Sequence, residues 1–157
     1  MIGQVPDVLK VEHEHLHAEL ARAALESGAL GEAAREVTHL LYPHFAKEEQ
    51  YAMPALGLLA KLAWGTVSPD MSSILPLTRR LKAELPAMLV EHKSIVAALV
   101  RFRARAHDAG RAEYERLADA LVHHARTEEA VQYPAAVLVG EYLELALRER
   151  ERAGEPR

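Results

Sequence analysis

A chain of 157 residues with a formal net charge of −4 is long enough for one compact domain with a buried core, and its charge balance leaves no footprint for nucleic acid. Without cysteine it has no disulfide, thiolate metal site or redox thiol. Half of the residues are hydrophobic, and Ala, Leu, Glu and Arg dominate with no β-branched alternating runs, so the fold class is predicted to be all-α.

The first predicted helix covers about residues 6–26, with Pro6 suited to a helix start. Ser27-Gly28-Ala29-Leu30-Gly31 breaks the pattern, and a second helix follows over about 32–63, ending near Trp64-Gly65. Residues 66–70 form a central linker in which Ser68 or Asp70 is available as an N-cap. A third helix spans about 71–106 and stops at Asp108-Ala109-Gly110, and a fourth spans about 112–147 before a charged, fraying tail at 148–157. Pro43, Pro54, Pro76, Pro86 and Pro134 lie inside these segments, where each removes a backbone hydrogen bond, so bends or breaks are expected there.

The short connections predict an antiparallel, up-down-up-down four-helix bundle formed as a single domain over 1–157. The start, Met1-Ile2-Gly3-Gln4, lacks the basic and apolar regions of a signal peptide. The most apolar stretch, 51–64, is too short to span a bilayer and contains Pro54 and Lys61. A cytoplasmic protein with no membrane partner is expected. The clusters Arg79-Arg80-Lys82 and Arg101/Arg103/Arg105 read as solvated surface.

The chain repeats itself. Residues 44–55 align with 124–135 at an offset of 80, matching His44 with His124, Glu48 with Glu128, Glu49 with Glu129, Pro54 with Pro134 and Ala55 with Ala135. Residues 12–20 align with 91–99 at an offset of 79, matching Glu12-His13 with Glu91-His92. Two helical hairpins of one design follow, at about 6–64 and 70–147, packed about an approximate two-fold axis.

Residues four apart share a helix face, so His44 pairs with Glu48 and His124 with Glu128. Both pairs fall on apolar stripes: Val37, Leu40, Leu41, Tyr51 and Ala55 in one helix, and Leu117, Ala120, Leu121, Val131 and Ala135 in the other. His92 lies among Leu85, Met88, Leu89, Val96 and Leu99, and His13 on the side of Val5, Leu9, Leu16 and Leu20. Four histidines and two glutamates are therefore expected to point into one core. Isolated buried carboxylates are costly unless paired or metal-bound, so a pair of cations is the expected common partner. Imidazole and carboxylate without thiolate suit iron or manganese, with zinc as a further candidate.

Single-residue alternatives compete at two places. His15 competes with His13, and His123 with His124, but the repeat and the apolar stripes favour His13 and His124. Glu49 and Glu129 turn about 100° from the inward glutamates, toward the surface or the back of a ligand. Glu12 and Glu91 flank inward histidines and stand equally as imidazole partners or a solvated edge. Tyr51, one turn past Glu48, could reach the centre or fill the core, and His39 and His107, without repeat partners, read as surface. A ferritin-like Glu-x-x-His site is rejected, because Glu12-x-x-His15, Glu14-x-x-His17 and Glu36-x-x-His39 have no counterparts in the second half.

With His13, His44-x-x-x-Glu48, His92 and His124-x-x-x-Glu128 in this order, and with the repeated Glu-His and Glu-Glu-x-x-x-x-Pro-Ala, the sequence resembles the hemerythrin-like (HHE cation-binding) family over nearly its whole length. The resemblance implies an antiparallel four-helix bundle around two iron ions, bridged by Glu48 and Glu128 and capped by the four histidines. It departs from the oxygen-carrying hemerythrins, which have a fifth histidine four residues after the third-helix ligand and an aspartate five residues after the last histidine. Val96 and Glu128 stand here instead, while His13-x-x-x-His17 occupies the repeat-related position, making His17 a candidate additional ligand. The expected function is binding or sensing of O₂, NO or a related small ligand at a carboxylate-bridged di-iron centre. Alternatives are a di-iron enzyme reducing peroxide or NO or supporting iron and stress repair, and a metal-free helical interaction module.

Overall fold

The computed structural model describes residues 3–154, and among them there is helix and no strand. Residues 1–2 and 155–157, the outermost parts of the expected start and charged tail, lie outside the described residues. The α-helices are α1 (Asp7–Ala24), α2 (Gly28–Lys47), α3 (Leu59–Ala63), α4 (Leu75–Asp108), α5 (Ala112–Thr127) and α6 (Tyr133–Arg152). A wide π-turn, Glu48–Ala52, continues α2, and a second, Glu128–Gln132, joins α5 to α6. Tighter 3₁₀ turns cover Pro54–Leu58 and Pro69–Ile74.

These pieces line up as four helical rods packed as a bundle. α2 lies against α1 and α4, and α4 also packs on α5 and α6. Gly140 lets α6 approach closely, since a Cβ there would come within 2.3 Å of Thr78 Oγ1 on α4. The chain leaves α3 through Gly65 and α4 through Gly110, at φ of 74° and 67°, the left-handed conformation that closes a helix.

The prolines do different things. Pro43 and Pro86 lie inside α2 and α4 without dividing them, and Pro76 sits in the first turn of α4. Pro54 and Pro134 each follow a π-turn. Neither has an N–H for the carbonyl four residues back, and the ring crowds that carbonyl, so the preceding turn widens. Met53 N–H then reaches Glu48 O, five residues back, at 2.8 Å, and Tyr133 N–H reaches Glu128 O in the same way. The helix expected over 32–63 is accordingly divided, while residues 148–152, expected to fray, complete α6.

The apolar core has two parts. One gathers Leu16, Leu20, Val37, Leu41, Phe45, Ile95, Leu99, Phe102, Leu117 and Leu121. The other gathers Tyr51, Met53, Ile74, Leu81, Met88, Tyr133, Val139 and Leu143. Along each rod, the switch from one part to the other falls at an inward histidine or glutamate. A polar layer therefore lies between two hydrophobic blocks. Among the described residues, no helix is long and apolar enough to cross a membrane.

Candidate metal centre

α1 supplies His13, α2 His44, α4 His92 and α5 His124, while Glu48 and Glu128 open the two π-turns. All six are buried, at 0–4% exposure. Their ligand-type atoms form two sets of four, His13/Glu48/His124/Glu128 and His44/Glu48/His92/Glu128, each within 4.8 Å. The two glutamates belong to both.

In the first set, the Nε2 atoms of His13 and His124 are 3.2 Å apart. Glu128 Oε1 lies 2.9 Å from His124 Nε2 and 3.7 Å from His13 Nε2, and Glu48 Oε2 lies 3.8 Å from His13 Nε2. In the second set, Glu48 Oε1 is 3.3 Å from His44 Nε2 and 3.9 Å from His92 Nε2, and Glu128 Oε2 is 3.4 Å from His92 Nε2. Each carboxylate presents one oxygen to each set. Two donors about 2.1 Å from a shared ion, at octahedral to tetrahedral angles, stand about 3.0–3.4 Å apart. The measured separations bracket that range.

The charges make the same demand. Burial pulls the His124 imidazole pKa down, but the adjoining Glu128 carboxylate outweighs it and pushes the value up to about 9. Burial is likewise outweighed at His13, chiefly by Glu128 and Glu48, and at His44, chiefly by Glu48, and both are raised. Burial and then the Glu128 charge raise Glu48, whereas at Glu128 burial is overcome by the adjoining imidazoles of His124, His13 and His92, which hold it well below the usual range. Glu48 Oε2 and Glu128 Oε1 are nevertheless buried without a hydrogen-bond partner. Orphaned carboxyl oxygens facing imidazole nitrogens fit a cation.

The competing residues lie elsewhere. His15, His39, His107 and His123 are exposed. The His17 ring stacks on Tyr42 at 4.3 Å and tilts against Phe45 at 4.8 Å, outside both sets. Phe45 in turn stacks face to face on His13, at 4.0 Å and 6°. Tyr51 is buried but turns its hydroxyl to Glu84, donating at 2.8 Å.

Tyr133, which periodicity did not single out, reaches the centre. Its hydroxyl donates to Glu48 Oε1 and lies 3.3 Å from His44 Nε2 and 3.2 Å from His92 Nε2. Burial, then the neighbouring Glu48 and Glu128 charges, push its pKa upward, so the phenol keeps its proton. At the repeat-related position stands Met53. The two ends of the centre are therefore chemically unequal.

The fold and the buried site define a helical bundle with a His/Glu cluster able to bind metal. The chain belongs to the hemerythrin HHE cation binding domain family, whose match covers residues 4–136. No curated protein and no solved structure gives a match.

Proposed function

We propose that this chain is a non-haem di-iron protein that binds or senses a small ligand, O₂ or NO, at a carboxylate-bridged centre. The observation that carries the reading is the sharing of Glu48 and Glu128 between two buried four-residue sets, one oxygen of each carboxylate turned to each set. His13 and His124 would hold one ion and His44 and His92 the other. An iron pair supplies redox chemistry and coordination positions for a small exogenous ligand. Manganese or zinc would suit the same nitrogen and oxygen donors.

The chain's own residues supply the setting. The apolar blocks on either side exclude water, and the near-complete burial of the six residues restricts access to small molecules. Peroxide belongs to the same size class. In this reading the bundle is antiparallel and forms one domain over 1–157, with hairpins at 6–64 and 70–147. The order of core residues along the rods supports it: one apolar block follows the inward histidine in α1 and α4 but precedes the inward glutamate that closes α2 and α5. The protein would act in the cytoplasm without nucleic-acid or membrane partners.

Metal analysis of the purified protein, with its visible spectrum, tests this. Two irons per chain and oxo-bridge bands are the expected result, while stoichiometric zinc or an absence of metal would overturn it. Additions of O₂, peroxide and NO then separate a binder, which responds stoichiometrically, from an enzyme, which consumes reactant beyond stoichiometry.

A further inference from the structure

Behind the six inward residues lies a second circle of carboxylates. Glu49 Oε1 accepts from His13 Nδ1 at 3.1 Å, Glu91 Oε2 from His44 Nδ1 at 2.7 Å, and Glu129 Oε1 from His92 Nδ1 at 2.9 Å. Glu12 Oε1 stands 3.2 Å from His124 Nδ1, an ion-pair contact in which the nitrogen is not aligned for a hydrogen bond. Unlike the inner pair, these side chains reach the surface, with exposures from 33% for Glu91 to 48% for Glu49.

The arrangement follows from four dipeptides, Glu12-His13, Glu48-Glu49, Glu91-His92 and Glu128-Glu129. Neighbouring side chains diverge by about 100° around a helix, so one member can face the centre while the other lies at the seam with the next rod. Glu12 reaches from α1 to α5, and Glu129, just past α5, reaches α4. Glu91 reaches from α4 to α2, and Glu49, just past α2, returns to α1. Three hydrogen-bonded braces and the Glu12 contact close a circuit around the bundle at the level of the centre.

We propose that Glu49, Glu91 and Glu129 are positioning residues that hold the His13, His44 and His92 imidazoles with Nδ1–H outward and Nε2 inward, while Glu12 stands against the fourth. A carboxylate can only accept, so the proton in each bond sits on Nδ1, and a neutral imidazole so held keeps its Nε2 lone pair for the centre. Each bond also fixes the ring's rotation and makes the facing nitrogen more basic. Because every brace comes from a different rod than the histidine it holds, the circuit couples ligand geometry to rod packing. This role rests on the metal reading above.

The test uses the full chain with Glu49, Glu91 and Glu129 changed singly to Ala and to Gln, and ferrous iron and zinc as the probes in chelator competition. Glu→Ala removes the acceptor and is expected to weaken metal binding by roughly 10–100-fold. Glu→Gln keeps a carbonyl that can accept from Nδ1 and is expected to recover most of that loss. Ala variants binding within about twofold of wild type, or Gln variants as weak as Ala, would overturn the role. Circular dichroism in chelator reports the fold; if an Ala variant loses helix, Glu→Met, of similar volume and without an acceptor, takes its place against Gln. Wild-type protein that takes up neither metal would instead defeat the centre itself, and this role with it.

Discussion

The Tyr133 hydroxyl donates to the Glu48 carboxylate across the core, joining the start of α6 to the turn that ends α2. Tyr133 lies five residues after Glu128, one full turn of the widened helix, so the inserted residue carries the phenol onto the face that Glu128 occupies. The same hydroxyl lies beside two imidazole nitrogens of one set, and among the described residues no hydroxyl hydrogen-bonds the imidazoles of the other.

Changing Tyr133 to Phe should therefore destabilise the chelated protein by about 1–3 kcal/mol, because it removes the donor to a buried carboxylate. The metal-loaded protein should lose less, since a cation satisfies the same oxygen. Urea unfolding with and without chelator measures both. Equal losses in the two states would mean that the phenol serves packing alone.

How much of this the sequence displays depends on helix period. His13, His44, His92, His124, Glu48 and Glu128 stand out because an offset of 79 or 80 repeats them and a 3.6-residue period places them on apolar stripes. Tyr51 and Ala55 stay buried after Glu48 as expected, but after Glu128 that period fails. Val131, expected on the core stripe, is 59% exposed, and Tyr133 takes the interior at 1%. The signal was present in Pro54 and Pro134, six residues after each glutamate, but a bend at proline does not reveal that the preceding turn gains a residue. Glu12, Glu49, Glu91 and Glu129 were visible as neighbours of inward residues. Their partners lie on other rods, which a single-helix projection cannot show.

Glu48→Gln and Glu128→Gln should each weaken metal binding by roughly tenfold or more, because the negative charge shared by both sets is lost and an amide nitrogen replaces one of the two oxygens. Glu48→Gln should also leave the chelated protein as stable as wild type or more so, since burial and the Glu128 charge already disfavour its ionised form. Iron stoichiometry and thermal unfolding in chelator check the two halves. A Glu48→Gln protein holding a full complement of metal at wild-type affinity would remove that residue from the centre.

His17→Ala should leave metal content and the visible spectrum unchanged. Its ring is engaged by Tyr42 and Phe45, so the expected loss is about 0.5–1.5 kcal/mol of aromatic packing. A shifted spectrum would restore His17 as an additional ligand.

Protons and metal ions should compete for the same nitrogens, giving the chelated and loaded proteins opposite responses to pH. The His124 pKa, about 9 in the fold, lies above its ordinary value of 6.5 because the gain from Glu128 exceeds the cost of burial. A raised pKa means that the folded state holds the proton more tightly than the unfolded chain. The resulting stabilisation is complete below pH 6.5 and is lost as pH rises through about 9. His13 and His44, also raised, act in the same direction. Chelated protein should therefore unfold at progressively lower urea concentration across that window. Metal-loaded protein should gain affinity over the same range, because fewer protons remain to be displaced from the Nε2 atoms of His13, His44 and His124. Chelated protein that becomes more stable between pH 6.5 and 9 would show that the imidazoles are neutral in the fold.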